Sequence, residues 1–504
     1  MLKNDEFSIL NLCTEEEEPK ITPSFYQDLN LTRIIDRLVS RWGKDVRKYY
    51  MWFPGSYEEE AYRREVFGDI KKEAVYAPLM TFVEELAEIE RLRSEKRKVQ
   101  TQIQKAVWQI RETYSYFEMY EKLEKALEQA NLASEGMKSF LRILKEITGD
   151  GEYRSIRDKV HTLIKKINDL KFVLTLDKER ISVTLGRVSD EEGSYGKMLR
   201  EKGGKEIKPF LNPFRMDPNL TELEKACLDI LINKDRDFYR TMKATAESIE
   251  GYEKPVLKRF EQEVIFYLSY LSFMRDMEKE GFYFTAPLPD GSRKMEAKGL
   301  YDLALALASL ETGKKVIPND LYYDGKESFF VVTGPNQGGK TTFARSLGQL
   351  VYFTKMGLDV PALSANLPFF TGLMTHFSVE ESSDTGRGKL KEELVRLAPM
   401  MAQECRGAFV VINELFTTAA NYDARIMGKK VLTHFMEAEC MGIYVTHLKE
   451  LAEAGEGVVS MKAVLDDQKV QTFKVLRGEA DDTPSAENLV LKYRLTYGQL
   501  KERL

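Results

Sequence analysis

Cysteine is scarce in this chain: Cys13, Cys227, Cys405 and Cys440 stand far apart and form no Cys-x-x-Cys pair. Such spacing gives no disulfide framework and reads as free thiols in a reducing cytoplasm. Long apolar runs are also missing, and none approaches the roughly 20 residues that a membrane span needs. The N-terminus, MLKNDEFSILNLCTEEEEPK, has no h-region and no small-residue cleavage site, and acids follow its short apolar patch. Secretion is therefore not expected, and the expected location is cytoplasmic. An excess of positive charge is lacking too: 75 Lys and Arg face 80 Asp and Glu, for a net charge of −5. The chain as a whole is no polycation, so any contact with nucleic acid must come from local patches.

What is present is bulk and helical pattern. A chain of 504 residues with 43% hydrophobic and 31% charged residues reads as soluble, globular and helix-rich. Its length suggests about two to four domains. Residues 1–20 end in the acids Glu15 to Glu18 and Pro19, and are expected to form a flexible or loosely docked tail. Asn30 then offers a helix cap, with Ile34, Ile35, Leu38, Val39 and Trp42 at helical spacing and Gly43 as a stop. From about Leu79 to Ile147 the pattern stays helical and densely charged, as long solvated helices would be. At 170–208 the texture changes. "LKFVLTLDKERISVTLG" alternates β-branched residues around a polar DKER, which predicts a small hairpin, and a Gly- and Lys-rich loop follows. Helical periodicity resumes from about Asn219 to Glu278, with a break near Pro255 and an apolar face of Phe260, Val264, Leu268 and Leu271.

From Tyr322 short apolar strands alternate with Gly-rich turns and helices, the texture of an α/β domain. Its strongest signal is "FFVVTGPNQGGKTTFARSLGQL", where Gly334, Gly339, Lys340 and Thr341 match G-x4-G-K-[ST]. A strand, Phe329 to Val332, precedes it, and an amphipathic helix through Phe343 and Leu347 is expected after it. In such a loop the glycines let backbone N–H groups wrap phosphates, the lysine reaches the β- and γ-phosphates, and the threonine hydroxyl ligates magnesium.

The residues between the fixed positions say more. "TGPNQGGKTT", Thr333 to Thr342, resembles the TGPNxGGK[ST]T loop of the MutS family of mismatch-repair ATPases, a branch of the ABC-type ATPases. Other stretches resemble the same family in the same order. "VIPNDL", with Asn319, is similar to its adenine-side loop. "EESSDTGRGKLKEEL" is similar to the segment that reaches a neighbouring subunit's nucleotide. "VVINELFTTAANYDA" stands at the Walker B position, and "IYVTHLKELAE" resembles the switch strand whose histidine, here His447, senses the γ-phosphate. The resemblance implies ATP contacts at Asn319, Gly334, Pro335, Asn336, Gln337, Gly338, Gly339, Lys340, Thr341 and Thr342. It implies magnesium at Thr341 and Asn413, and catalytic roles for Glu414 and His447. The expected architecture is α+β and multidomain: a tail over 1–20, a long-helix lever and core region over 21–312 with a reduced clamp-like insertion at about 170–208, and an α/β P-loop ATPase domain of the ABC type over 313–504.

Three departures shape the functional expectation. The family's mismatch-reading domain, with its Phe-x-Glu, would precede the levers, and no such motif stands in the first 20 residues. The family's Walker B aspartate is Asn413, which keeps an oxygen acceptor and loses the charge, so slow hydrolysis is expected rather than none. In the trans segment Gly388 replaces a serine or threonine. Lys389 offers a positive reach to a γ-phosphate across a dimer, with Thr385 as the other candidate. The resemblance thus implies an ATP-dependent DNA-binding homodimer acting on mismatched, branched or distorted duplex. A structural ATP switch resembling SMC-type heads, or a catalytically weak regulator, is the alternative. Lys197, Arg200, Lys202, Lys205 and Lys208 cluster near the clamp position and are the candidate DNA contacts. The run Arg91, Arg93, Lys96, Arg97 and Lys98 reads as a solvated face balanced by Glu88, Glu90 and Glu95. His161, His376 and His434 read as structural.

Overall fold

A computed structural model describes residues 7–10, 23–51, 53–99, 101–177, 180–186, 219–378, 388–466, 470–479 and 501. The chain divides into two compact units, Met1–Phe7 with Asp69–Val264 and Ser8–Gly68 with Ile265–Leu504. Among the described residues Cys227, Cys405 and Cys440 are free and buried. Among them, too, no helix is long and apolar enough to cross a membrane.

The first unit is helical. Glu73–Lys96 starts ahead of Pro78 and contains it, so the expected start at Leu79 is too late. The expected unbroken pattern to Ile147 is divided at two polar caps. The Thr101 hydroxyl accepts from Gln104 N–H to open Gln102–Gln129, and the Ser134 hydroxyl accepts from Met137 N–H to open Glu135–Gly149. Asp150 caps Gly151–Asp169 in the same way. These helices are less solvated than their charge suggests. Ile103, Val107, Ile110, Phe117, Leu163 and Met242 share one core with Glu222–Lys234 and Arg236–Ser248. The basic run is neutralised locally: Arg91 pairs with Glu88 at 2.6 Å, Lys98 with Glu95 at 2.7 Å, and Arg93 and Lys96 converge on Glu112 at 2.7 and 2.5 Å. The hairpin is present as β1 (Lys171–Asp177) and β2 (Arg180–Gly186), antiparallel, with Asp177 opposite Arg180. Residues 187–218, with the five candidate DNA contacts, lie outside the described residues. Pro255 opens the helix Pro255–Lys279, where its missing N–H costs nothing, and Phe260, Val264, Leu268 and Leu271 are buried.

The second unit holds two mixed sheets. One has four strands in the order β3 (Leu288–Pro289), β7 (Ser364–Leu367), β4 (Lys294–Leu300) and β5 (Asn319–Asp324). The other runs β12 (Gln471–Arg477), β11 (Val458–Leu465), β6 (Phe329–Thr333), β10 (Met441–Val445), β9 (Phe409–Asn413), β8 (Leu373–Phe377). All its neighbours pair in parallel except β12, which runs antiparallel at the edge. β6, β9 and β10 are buried along their whole length, which is why they read as unbroken apolar runs. Gly442 is forced by this crowding: a Cβ there would collide with the Val410 carbonyl and come within 2.8 Å of the Phe329 ring.

The helix after β6, Lys340–Lys355, is buried nearly all round rather than on one face as expected. Its second cover comes from far away in the sequence. Leu29 packs where a Cβ on Gly348 would fall, Gln349 Nε2 donates to Leu29 O at 2.9 Å, and the Tyr352 hydroxyl donates to Tyr50 O at 2.6 Å. Asn30 precedes helix Leu31–Val39 in left-handed backbone, φ 55°, with no side-chain cap bond; it turns the chain instead of capping it. Ser8, Ile9 and Leu10 of the expected tail are buried, with their carbonyls accepting from Tyr62, Tyr267 and Arg63. An apolar patch of that kind gains more by packing than by staying in water.

Candidate active site at the strand ends

Parallel pairing sets one edge of the large sheet in register. Val445 lies opposite Val332 on β6 and opposite Asn413 on β9, and Asn413 lies opposite Phe377 on β8. The segments leaving β6, β8, β9 and β10 therefore all begin at the carboxyl ends of neighbouring strands, where open α/β sheets place their ligands.

The segment after β6 is the Gly-rich loop. Gly334, Gln337 and Gly339 hold φ of 126°, 63° and 89°. Gly334 and Gly338 are tight against Ala463 on β11: a Cβ on the first would stand 3.1 Å, and on the second 3.0 Å, from Ala463 Cβ. Gly339 is the N-cap of helix Lys340–Lys355, so the first-turn N–H groups of Lys340, Thr341 and Thr342 open toward the loop. Asn336 and Gln337 are exposed, Pro335 is half-buried, and Lys340 is buried. Lys340 Nζ folds back to donate to Gly334 O and Pro335 O, both at 2.9 Å. Burial lowers its pKa from the usual lysine value, and the charge of Glu414 opposes that shift.

Across the edge, the Thr341 hydroxyl donates to Asn413 Oδ1 at 2.9 Å. Asn413 is buried at 6% exposure. Glu414 follows in left-handed backbone, φ 56°, and its N–H donates to Val445 O at 2.9 Å. Its Oε1 lies 3.4 Å from His447 Nε2. Residues from three strand ends, Lys340 and Thr341, Asn413 and Glu414, and His447, thus share one locale, with a neutral oxygen pair beside a carboxylate and an imidazole. Among the described residues no group of three His, Cys, Asp or Glu could hold a metal alone. Thr341 and Asn413 fit a magnesium ion that takes most of its ligands from phosphate and water.

The remaining expected residues are placed less directly. Asn319, at the start of β5, is 7% exposed, and its side chain is engaged by β12: Val475 N–H donates to its Oδ1 at 2.8 Å, and its Nδ2 donates to Phe473 O at 3.2 Å. Gly388 is the exposed N-cap of helix Lys389–Ala402, and only the backbone of Lys389 is described. Thr385 lies outside the described residues. His376 is 1% exposed, and burial first, then the Arg396 charge, pushes its pKa down to about 4.

Two residues at this edge were not singled out by the sequence, although Glu393 stands in the stretch that resembles the trans segment. Phe473 sits in left-handed backbone, φ 58°, is 47% exposed, and lies 3.5 Å from where a Cβ on Gly339 would be. Glu393, 3% exposed, accepts from Phe416 N–H at 3.0 Å. No residue spacing marks either of them for these contacts.

The MutS domain V family matches residues 330–496. The DNA mismatch repair protein MutS of Fervidobacterium nodosum is 28% identical over 172 residues, covering 33% of this chain and 21% of that protein. MutS of Symbiobacterium thermophilum is 30% identical over 204 residues, 39% of this chain and 23% of that protein. The DNA mismatch repair protein MSH6 of Arabidopsis thaliana is 31% identical over 166 residues, 32% of this chain and 12% of that protein. What this stretch resembles is domain V of the MutS family. The matched stretch begins on β6 and takes in the Gly-rich loop, Asn413, Glu414 and His447. The family match covers residues 330–496, and each of these relatives is matched over less than a quarter of its own length.

Proposed function

We propose that this chain binds ATP with magnesium at the loop Gly334–Thr342 and hydrolyses it slowly, coupling the nucleotide to DNA as a homodimer. The observation that carries the reading is the Thr341–Asn413 hydrogen bond of 2.9 Å beside the Glu414–His447 pair of 3.4 Å. It brings a phosphate-binding helix terminus, two oxygens suited to a magnesium shell, a carboxylate and an imidazole to one edge. Thr341 would hold the ion directly and Asn413 through a bound water, and the ion would supply neutralisation of phosphate charge. Glu414 is the general base that takes a proton from the attacking water. Lys340 exchanges its two loop carbonyls for phosphate oxygens. Phe473, an exposed ring beside the helix N-cap, offers a face for the adenine base.

Mismatched, branched or distorted duplex is the proposed substrate, since the similar proteins are named for DNA mismatch repair. The lysines and arginine of 197–208 are the proposed contacts. The amide at Asn413 supports a second reading, a domain that binds ATP as a switch and turns it over too slowly to matter. Titration of ATP against the full chain and its Lys340→Ala variant tests the first step. Removing the loop's one side-chain cation should weaken binding at least about tenfold, and unchanged affinity in a folded variant overturns the site. Phosphate release then separates the two readings, and gel binding to duplex, mismatched and four-way DNA with and without ATP tests the coupling.

A further inference from the structure

The turn after β9 carries two non-glycine residues in left-handed backbone, Glu414 at φ 56° and Phe416 at φ 63°. Each costs about 1–2 kcal/mol, so the turn persists only if its surroundings hold it. Three contacts do so. Glu414 N–H donates to Val445 O on the neighbouring strand. The Leu415 and Phe416 side chains are buried at 2% exposure each. The third contact comes from a different element: Phe416 N–H donates to the Glu393 carboxylate on helix Lys389–Ala402.

A carboxylate at 3% exposure is expensive to keep, and hydrogen bonds from N–H groups are what make it tolerable. Its charge is felt on the opposite side as well: the Tyr444 hydroxyl on β10 is pushed up in pKa by burial and then by Glu393. The same helix is tied to the end of β8. His376 Nε2 lies 3.2 Å from Glu393 O, and Arg396 Nη1 donates to Phe377 O at 2.7 Å. One helix therefore links the end of β8 to the turn that carries Glu414. It begins at Gly388, within the stretch that resembles the family's trans segment.

We propose that Glu393 is a positioning residue for Glu414. Its carboxylate fixes the left-handed turn through Phe416 N–H, and so passes the setting of helix Lys389–Ala402 to the carboxylate that activates water. This rests on the reading of Glu414 as general base. Glu393 itself touches no reacting atom; it acts on a backbone group two residues beyond Glu414.

The test uses the full chain with Glu393→Ala and Glu393→Gln, read by ATP titration, steady-state turnover and amide hydrogen exchange of peptides spanning 409–420 and 441–445. In Glu393→Ala, ATP affinity should stay within about twofold while kcat falls at least about tenfold. Exchange at Phe416 should accelerate while β9 and β10 stay protected. Glu393→Gln keeps an acceptor in place and should recover most of both losses. Wild-type turnover and wild-type Phe416 exchange in the alanine variant overturn the proposal, as does a glutamine variant no better than alanine. If the alanine variant loses protection throughout, Glu393→Asp, one methylene short of Phe416, takes its place with the same expected and overturning results. If wild type releases no more phosphate than Lys340→Ala, the hydrolysis reading fails by itself, and Phe416 exchange alone decides whether Glu393 holds the turn.

Discussion

In the proposed ATPase reading, Asn413 is the residue that limits turnover. Its Oδ1 already accepts from the Thr341 hydroxyl, so an aspartate would keep that bond and add a full negative charge facing magnesium. Asn413→Asp should raise the rate of phosphate release and lower the magnesium concentration needed for half-maximal rate. A folded variant with an equal or lower rate would mean that the site is arranged around the amide. Residues of this kind were legible in the sequence because phosphate chemistry fixes their types and spacing: Gly339, Lys340 and Thr341 can be read without a fold. Phe473 and Glu393 could not. What singles out Phe473 is a left-handed φ on an edge strand, and what singles out Glu393 is a backbone N–H 23 positions away. Neither property is written in local pattern.

At the scale of elements, legibility follows how far away the deciding partner lies. The β1–β2 hairpin was readable because its two strands face each other across a few polar residues. The burial of helix Lys340–Lys355 was not, because one cover is the sheet and the other is Leu29 and Tyr50. Lys355 shows the result: it sits at 1% exposure, with Nζ donating to Phe370 O at 2.6 Å and lying 4.3 Å from the Phe369 ring centre. The central strands are equally unforgiving. Gly442→Ala sets a methyl against the Val410 carbonyl, a backbone atom that cannot rotate away. It should cost at least about 3 kcal/mol in denaturant unfolding or abolish folding. Gly455→Ala, with nothing within 4 Å, is the control and should be near neutral. Equal stability of the two variants would show that β10 is not packed as described.

For the whole molecule, the proposed homodimer would set the stretch resembling the trans segment against a second copy's nucleotide. ATP should therefore drive self-association, most clearly in Glu414→Gln, which keeps hydrogen bonding but removes the base and so leaves the nucleotide intact. Light scattering at saturating ATP should report a doubled mass, and a monomer there sinks the homodimer. The packing of residue 29 against the helix at 340–355 has a consequence of another sort, in time. Gln349 and Leu29 bond across 320 positions of chain, and a ribosome adding roughly 5–20 residues per second needs about 16–64 seconds to cross that gap. Throughout that interval Leu29, buried in the finished protein, lacks the helix that packs against it. Leu29 is thus made well before the helix that encloses it, and its side chain needs shielding on the nascent chain until then.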